Sequence, residues 1–176
     1  MKFNLGLPGK VIWITGLPGS GKTTLARALY KKLRKKSPGV ILIDGDMIRA
    51  VCSNDLSYSR KDRLKSAYRI SKLCKIFSDQ ELCVVCSTVS LFHEIHEWNR
   101  KNIKSYYQIF IDLEMDIIIK RNQNNLYQQL NGKEKKYIIG VNQKYDKPKK
   151  NNFLIKENWN RGDFRKNLEE IYKVII

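Results

Sequence analysis

Gly16-Leu17-Pro18-Gly19-Ser20-Gly21-Lys22-Thr23-Thr24 fits the pattern G-x-x-x-x-G-K-[ST], and its flanks decide what the pattern means. Val11-Ile12-Trp13-Ile14-Thr15 before it is an apolar run that reads as a buried strand, and Leu25-Ala26-Arg27-Ala28-Leu29 after it reads as a helix. In a loop between strand and helix, glycines let successive backbone N–H groups turn inward onto a triphosphate. Lys22 is expected to reach the β- and γ-phosphates, and the Thr23 hydroxyl to ligate Mg²⁺. The helix N-terminus adds partial positive charge to the same anion site. A glycine turn that binds nothing has no need of these flanks, so residues 16–24 are the expected nucleoside triphosphate site.

Working outward from this loop, strand-like and helix-like segments alternate. A helix is expected over residues 22–36, broken by Ser37-Pro38-Gly39, and Val40-Ile41-Leu42-Ile43 is a second apolar strand. A helix over 60–79 carries apolar residues at 64, 67, 70, 73, 74 and 77, a period near 3.6. Further strands are expected at 82–86, 107–111 and 153–155, and further helices at 91–104, 114–121 and 162–174. The pattern fails over 122–152, a Lys-, Asn- and Gln-rich stretch that reads as a basic lid. Such alternation predicts an α/β protein: a parallel sheet with helices on both faces and ligands at the carboxyl ends of the strands. The 176 residues form one expected domain, 1–176.

Composition narrows the function classes. No apolar run approaches the ~18 residues of a membrane span, and no secretory h-region precedes the first strand, so the expectation is a cytoplasmic enzyme without a membrane partner. Four cysteines stand at 52, 74, 83 and 86. Cys83 and Cys86 share a strand-like run that points them to opposite faces, and no second pair completes a zinc site, so buried free thiols are expected. His93 and His96 lack H-E-x-x-H spacing and read as surface polar residues. The formal net charge of +17 attracts polyanions. It fits a solvated lysine-rich surface, nucleic acid, or two phosphate-bearing small molecules. The basic runs at 31–36 and 133–150 do not read as base-stacking platforms, so nucleic acid lacks support.

The second site begins where the second strand stops, at Asp44-Gly45-Asp46-Met47-Ile48-Arg49. One carboxylate can hold Mg²⁺ through water or take a proton from an attacking hydroxyl, and Arg49 can hold an anionic acceptor. A turn capping a following helix would look the same. Asp55-Leu56-Ser57-Tyr58-Ser59-Arg60-Lys61-Asp62-Arg63 follows, then Ser87-Thr88-Val89-Ser90, Leu126-Tyr127, Ile139-Gly140-Val141 and Tyr145-Asp146-Lys147-Pro148. In this order and spacing the set resembles the adenylylsulfate kinase family over residues 11–155.

The resemblance implies a P-loop kinase fold, commonly dimeric, that moves the γ-phosphate of MgATP to the ribose 3′-hydroxyl of a 5′-nucleotide. By it, Asp44 and Asp46 match the catalytic and magnesium-side carboxylates, in an order left open. No Asp ends the third strand, which throws the metal role onto this pair beside Thr23. Arg49, Tyr58 and Arg63 match residues that hold the acceptor, with Tyr58 in place of a base-stacking Phe. Val89 and Ser90 match the acceptor side, Arg121 an arginine near the ATP base, and Lys136 a lid lysine facing the phosphates.

The departures cluster on the acceptor side. The family's Asn after the Asp-Arg pair is Ser66, and one of two following arginines is Tyr68. Ile-Ser-Pro-Tyr-Arg becomes Val89-Ser90-Leu91-Phe92-His93, and the lid's Phe-Thr-Gly becomes Ile138-Ile139-Gly140, removing one aromatic face of the base clamp. A lost stacking partner costs roughly 1–3 kcal/mol per base. Altered acceptor recognition is similar to a branch of the family found with surface-polysaccharide genes, whose members phosphorylate cytidine diphosphoramidate in capsule phosphoramidate synthesis. Adenylylsulfate itself is the alternative acceptor. A nucleic-acid-binding P-loop protein and an NTPase switch are the alternatives of other classes.

Overall fold

The structure is a computed structural model that describes Leu7 and residues 9–121, 139–156 and 161–176. The elements run β1 (Lys10–Gly16), α1 (Lys22–Arg34), β2 (Val40–Asp44), α2 (Gly45–Val51), α3 (Arg60–Asp79), β3 (Cys83–Thr88), α4 (His93–Asn102), β4 (Tyr106–Ile111), α5 (Met115–Arg121), β5 (Phe153–Ile155) and α6 (Arg161–Ile175). Among the described residues the sheet has five strands in the order β2-β3-β1-β4-β5, every pairing parallel.

Strands buried on both faces need apolar side chains on both, and β1 has them. Ile12 and Ile14 pack with Leu25, Leu29 and Leu33 of α1 and with Ile171 and Ile175 of α6. Val11 and Trp13 point the other way, onto Ala67, Ile70 and Cys74 of α3 and Ile95 of α4. The 3.6-residue stripe of α3 is the part that meets the sheet: Leu64, Ala67, Ile70, Leu73, Cys74 and Phe77 all join this second core. At about 25 cal/mol per Å² of apolar surface, these two sandwiched layers dominate the stability.

Several expectations shift. The segment at 45–51 is a short helix, with the Asp44 side chain accepting from Asp46 N at its start. The third strand continues to Thr88, and α4 starts at His93, because Leu91 and Phe92 turn inward as buried side chains. Cys83 and Cys86 do lie in opposite cores, and all four thiols are free, but Cys52 is half-buried, on the end of a helix that reaches toward solvent. His96 is no surface residue: it is buried at 4% exposure beneath the loop after β3, because α4 turns this position toward the sheet. No helix among the described residues is long and apolar enough to cross a membrane.

Candidate active site

The parallel order brings the carboxyl ends of β1, β2 and β3 together, so three loops distant in sequence share one edge of the sheet. The loop after β1 closes with Ser20 N donating to Leu17 O (3.2 Å). Gly21 caps α1 at φ 98°, left-handed backbone that L side chains rarely adopt and that aims the first helical N–H groups into the loop. Gly16, Leu17, Pro18, Gly19, Ser20, Gly21, Lys22, Thr23 and Thr24 are all described in this arrangement.

Lys22 is buried, and its Nζ donates to Leu17 O at 2.7 Å. Burial pushes the ammonium down to about 8, and the nearby Asp46 and Asp44 carboxylates oppose that shift. A desolvated ammonium folded onto one carbonyl is a charge held ready for a better anionic partner. Arg121, at the end of α5, reaches the same loop with Nη1 at 3.5 Å from Ser20 O, and partial burial lowers its pKa.

Asp44 ends β2 with both oxygens engaged. Oδ2 accepts from Thr23 Oγ1 (3.0 Å) and from Ser87 Oγ (2.6 Å), while Oδ1 accepts from Asp46 N (3.0 Å). Thr23 is expected beside this carboxylate pair from the sequence, whereas Ser87, 43 residues away, is not. Among the described residues no group of three or more His, Cys, Asp or Glu could hold an ion by side chains alone. The hard oxygens of Thr23 and Asp44 nevertheless fit Mg²⁺, which keeps several waters and takes its remaining ligands from phosphate. Asp46 is exposed one step further out, and its carboxylate supports the charged forms of both Lys22 and Arg63.

Two arginines approach the half-exposed ring of Tyr58 in the loop after α2. The Arg49 guanidinium carbon sits 4.4 Å from the ring centroid and that of Arg63 4.9 Å. Arg49 Nη1 donates to Leu56 O, and Arg63 Nε to Tyr58 O (3.0 Å). Burial, then the Arg49 charge, pushes Arg63 below the ordinary arginine range. Two guanidiniums this close invite an anion. Ser66 faces a small cavity shared with Ile48, Arg49, Cys52, Asp55, Leu56 and Arg69. Arg69 makes paired hydrogen bonds of 2.7 Å to the two oxygens of Asp55, which hold this wall.

The loop after β3 is inward-facing. Ser90 is 6% exposed with Oγ 2.8 Å from Thr88 Oγ1, and Val89 is half-buried against the first core. Beneath it His96 Nε2 lies 2.9 Å from Ser90 O. Sequence reasoning reads His96 by its polarity and spacing to His93, whereas the apolar Phe92 four residues before it and Ile95 beside it mark the face of α4 that is buried. Lys136 and Ile138, with Leu126 and Tyr127, lie outside the described residues.

A parallel sheet carrying a P-loop at β1, with the loop's threonine on a β2 carboxylate, defines a P-loop nucleotide-binding protein. The chain belongs to the adenylylsulphate kinase family, whose model matches residues 8–156. It is 40% identical over 166 residues to the cytidine diphosphoramidate kinase of Campylobacter jejuni, covering 94% of each chain. It is 34% identical over 143 residues to the adenylyl-sulfate kinase of Clostridium acetobutylicum, covering 81% of this chain and 72% of that one. The Mycobacterium tuberculosis APS kinase in complex with AMPPNP and APS superposes with a TM-score of 0.84 at 25% identity, over 96% of this chain and 98% of that one.

Proposed function

We propose that this protein phosphorylates the ribose 3′-hydroxyl of a 5′-nucleotide with ATP as donor, and that its acceptor is cytidine diphosphoramidate. The observation that supports the reaction class is the exposed carboxylate of Asp46, a residue that stands two beyond the Asp44 that holds Thr23 of the P-loop and is tied to it by its backbone N–H. A base beside the P-loop in this way can take the proton of an acceptor hydroxyl brought to the γ-phosphate. The acceptor is inferred from likeness across nearly the whole of both chains to a kinase of that name.

In this mechanism the P-loop amides and Lys22 hold the β- and γ-phosphates, Lys22 exchanging Leu17 O for a phosphate oxygen. Asp44 and the Thr23 hydroxyl would hold Mg²⁺, which would neutralise triphosphate charge. Asp46 orients the 3′-hydroxyl and accepts its proton as the bond to γ-phosphorus forms and the bond to the leaving ADP oxygen breaks. Arg49 and Arg63 hold the acceptor's 5′-phosphates, and Tyr58 offers a face to its base. Ser66, Val89, Ser90 and, by the family pattern, Lys136 and Ile138 complete the acceptor side, and Arg121 steadies the donor. Such chemistry needs mainly positioning and charge stabilisation. A cytoplasmic location, one domain and a homodimer come with the family reading, and fractionation, limited proteolysis and sedimentation check them.

Adenylylsulfate is the second reading, favoured by the half-exposed aromatic ring of Tyr58, which stacks any base. A substrate panel separates the two. Protein and MgATP are mixed with cytidine diphosphoramidate, adenylylsulfate, CDP or a short oligonucleotide, and ADP release and ³¹P spectra are followed. Cytidine diphosphoramidate is expected to give the highest kcat/KM and a new 3′-phosphate resonance. A higher value with adenylylsulfate establishes the second reading, and turnover of the oligonucleotide alone overturns both.

A further inference from the structure

The turn formed by residues 139–143 touches both halves of the site. Ile139 is buried in the first core at 2% exposure, and Gly140 N closes the turn onto Gln143 O at 3.1 Å. Gly140 has φ 90°, and a Cβ there would come within 3.0 Å of Leu17 Cδ2 and 2.6 Å of Met115 Cε. The turn is thereby pressed onto the P-loop residue whose carbonyl receives Lys22. From its other end Gln143 Nε2 donates to Tyr58 O at 2.9 Å, across 85 residues of sequence. Arg63 Nε donates to the same carbonyl at 3.0 Å. Two donors from different segments thus fix one peptide group, and that group carries the ring that Arg49 and Arg63 both approach.

We infer that Gln143 is a positioning residue for the acceptor nucleotide: it holds the Tyr58 peptide, and with it the ring, against a turn braced on the P-loop. The inference rests on the reading that Tyr58 faces the acceptor base. Tyr58 belongs to an otherwise exposed loop, where Ser57 and Asp55 are open to solvent and Asn54 takes a positive φ of 52°. Without the Gln143 donor that loop keeps its arginine contacts but loses its tie to the opposite wall of the cleft. The ring then samples more orientations, and an acceptor must pay the ordering entropy on binding. ATP meets the P-loop itself and does not depend on this tie. Gln143 therefore acts on the acceptor KM and leaves the ATP KM alone.

The test is a double-mutant cycle on the full chain, with steady-state kinetics against cytidine diphosphoramidate and against adenylylsulfate. Gln143→Met keeps length and removes the donor, and Gln143→Ala removes both. Each is expected to raise the acceptor KM about fivefold, the scale of one neutral hydrogen bond, with kcat, ATP KM and Tm unchanged. Tyr58→Ala is expected to raise the acceptor KM further, and Gln143→Met in that background to add nothing, since the inferred effect runs through the ring rather than through Arg63 on the same carbonyl. If Tyr58→Ala raises the acceptor KM while both Gln143 variants behave as wild type, the inference fails and the reading of Tyr58 stands. Additive effects in the cycle overturn it equally. If Tyr58→Ala leaves the acceptor KM unchanged, the reading of Tyr58 fails and carries the inference with it.

Discussion

The Thr23 hydroxyl lies 3.0 Å from Asp44 Oδ2, which ties the first helical turn after the P-loop to the end of the second strand. The same oxygen accepts from Ser87 at 2.6 Å, so the Asp44 carboxylate at the end of β2 is held by α1 and by β3 at once. Asp46, two residues on, is held only through its backbone N–H and leaves its carboxylate exposed. This contrast divides the two carboxylates into a fixed one beside the metal threonine and a free one facing the acceptor arginines.

From that division, Asp46→Asn is expected to lower kcat by about 10²-fold or more, the usual scale of a lost general base, with little change in the ATP KM. Asp44→Asn is expected to lower kcat and also to raise the Mg²⁺ concentration needed for half-maximal rate. Steady-state kinetics with Mg²⁺ titration decides between them. If both variants only weaken ATP binding, the assignment of Asp46 to the acceptor is wrong.

Lys22→Met should abolish phosphoryl transfer and yet stabilise the protein without nucleotide. The buried ammonium has a folded pKa of about 8 against an unfolded value of 10.5, so the unfolded chain binds the extra proton and folding is disfavoured on the order of 3 kcal/mol below pH 8. Stability of the wild type should accordingly rise as pH increases from about 8 to about 10.5. Removing the hydrogen bond to Leu17 O offsets part of the gain, leaving a rise in Tm of about 2–6 °C. A lower Tm for the variant contradicts this account.

ATP affinity should fall as pH rises above about 8, because the free protein then loses the Lys22 proton that binding must restore. Calorimetry at pH 8.5 in buffers of different ionisation enthalpy should detect proton uptake on ATP binding. In Lys22→Met, residual ATP binding should lose that proton uptake. Equal uptake in the variant assigns the proton to another group.

His96 gives an acid-side counterpart. Burial is the main cause that pushes its imidazole down to about 4; His93 and Arg100 add to the shift, and the Ser90 carbonyl and Asp146 oppose it. The unfolded histidine takes a proton below about 6.5 and the folded one does not, so stability drains away as pH falls from about 6.5 to about 4, by about 3 kcal/mol in all. His96→Gln, which can still donate to Ser90 O, should lack this component. The difference between wild-type and variant unfolding free energies, measured by denaturant titration from pH 7 to pH 4.5, should shrink or change sign as pH falls; a constant difference rules the mechanism out.

The sequence by itself determined what depends on near neighbours. The P-loop pattern between Val11–Thr15 and the helix that follows, the period of α3, and the alternation that makes the sheet parallel are all encoded within windows of a few turns. The tertiary structure alone decided what depends on chain segments meeting. Asp44 and Asp46 are equivalent as residues two apart, and only the arrival of Thr23 from α1 and Ser87 from β3 makes one fixed and the other free. His96 reads as polar and exposed until the rotation of α4 buries it under Ser90. Gln143 sits in a polar stretch without periodicity, and its tie to Tyr58 spans 85 residues. Local propensity leaves a signature in composition and spacing, whereas a hydrogen bond between distant loops is specified only by the packing that brings them within 3 Å of each other.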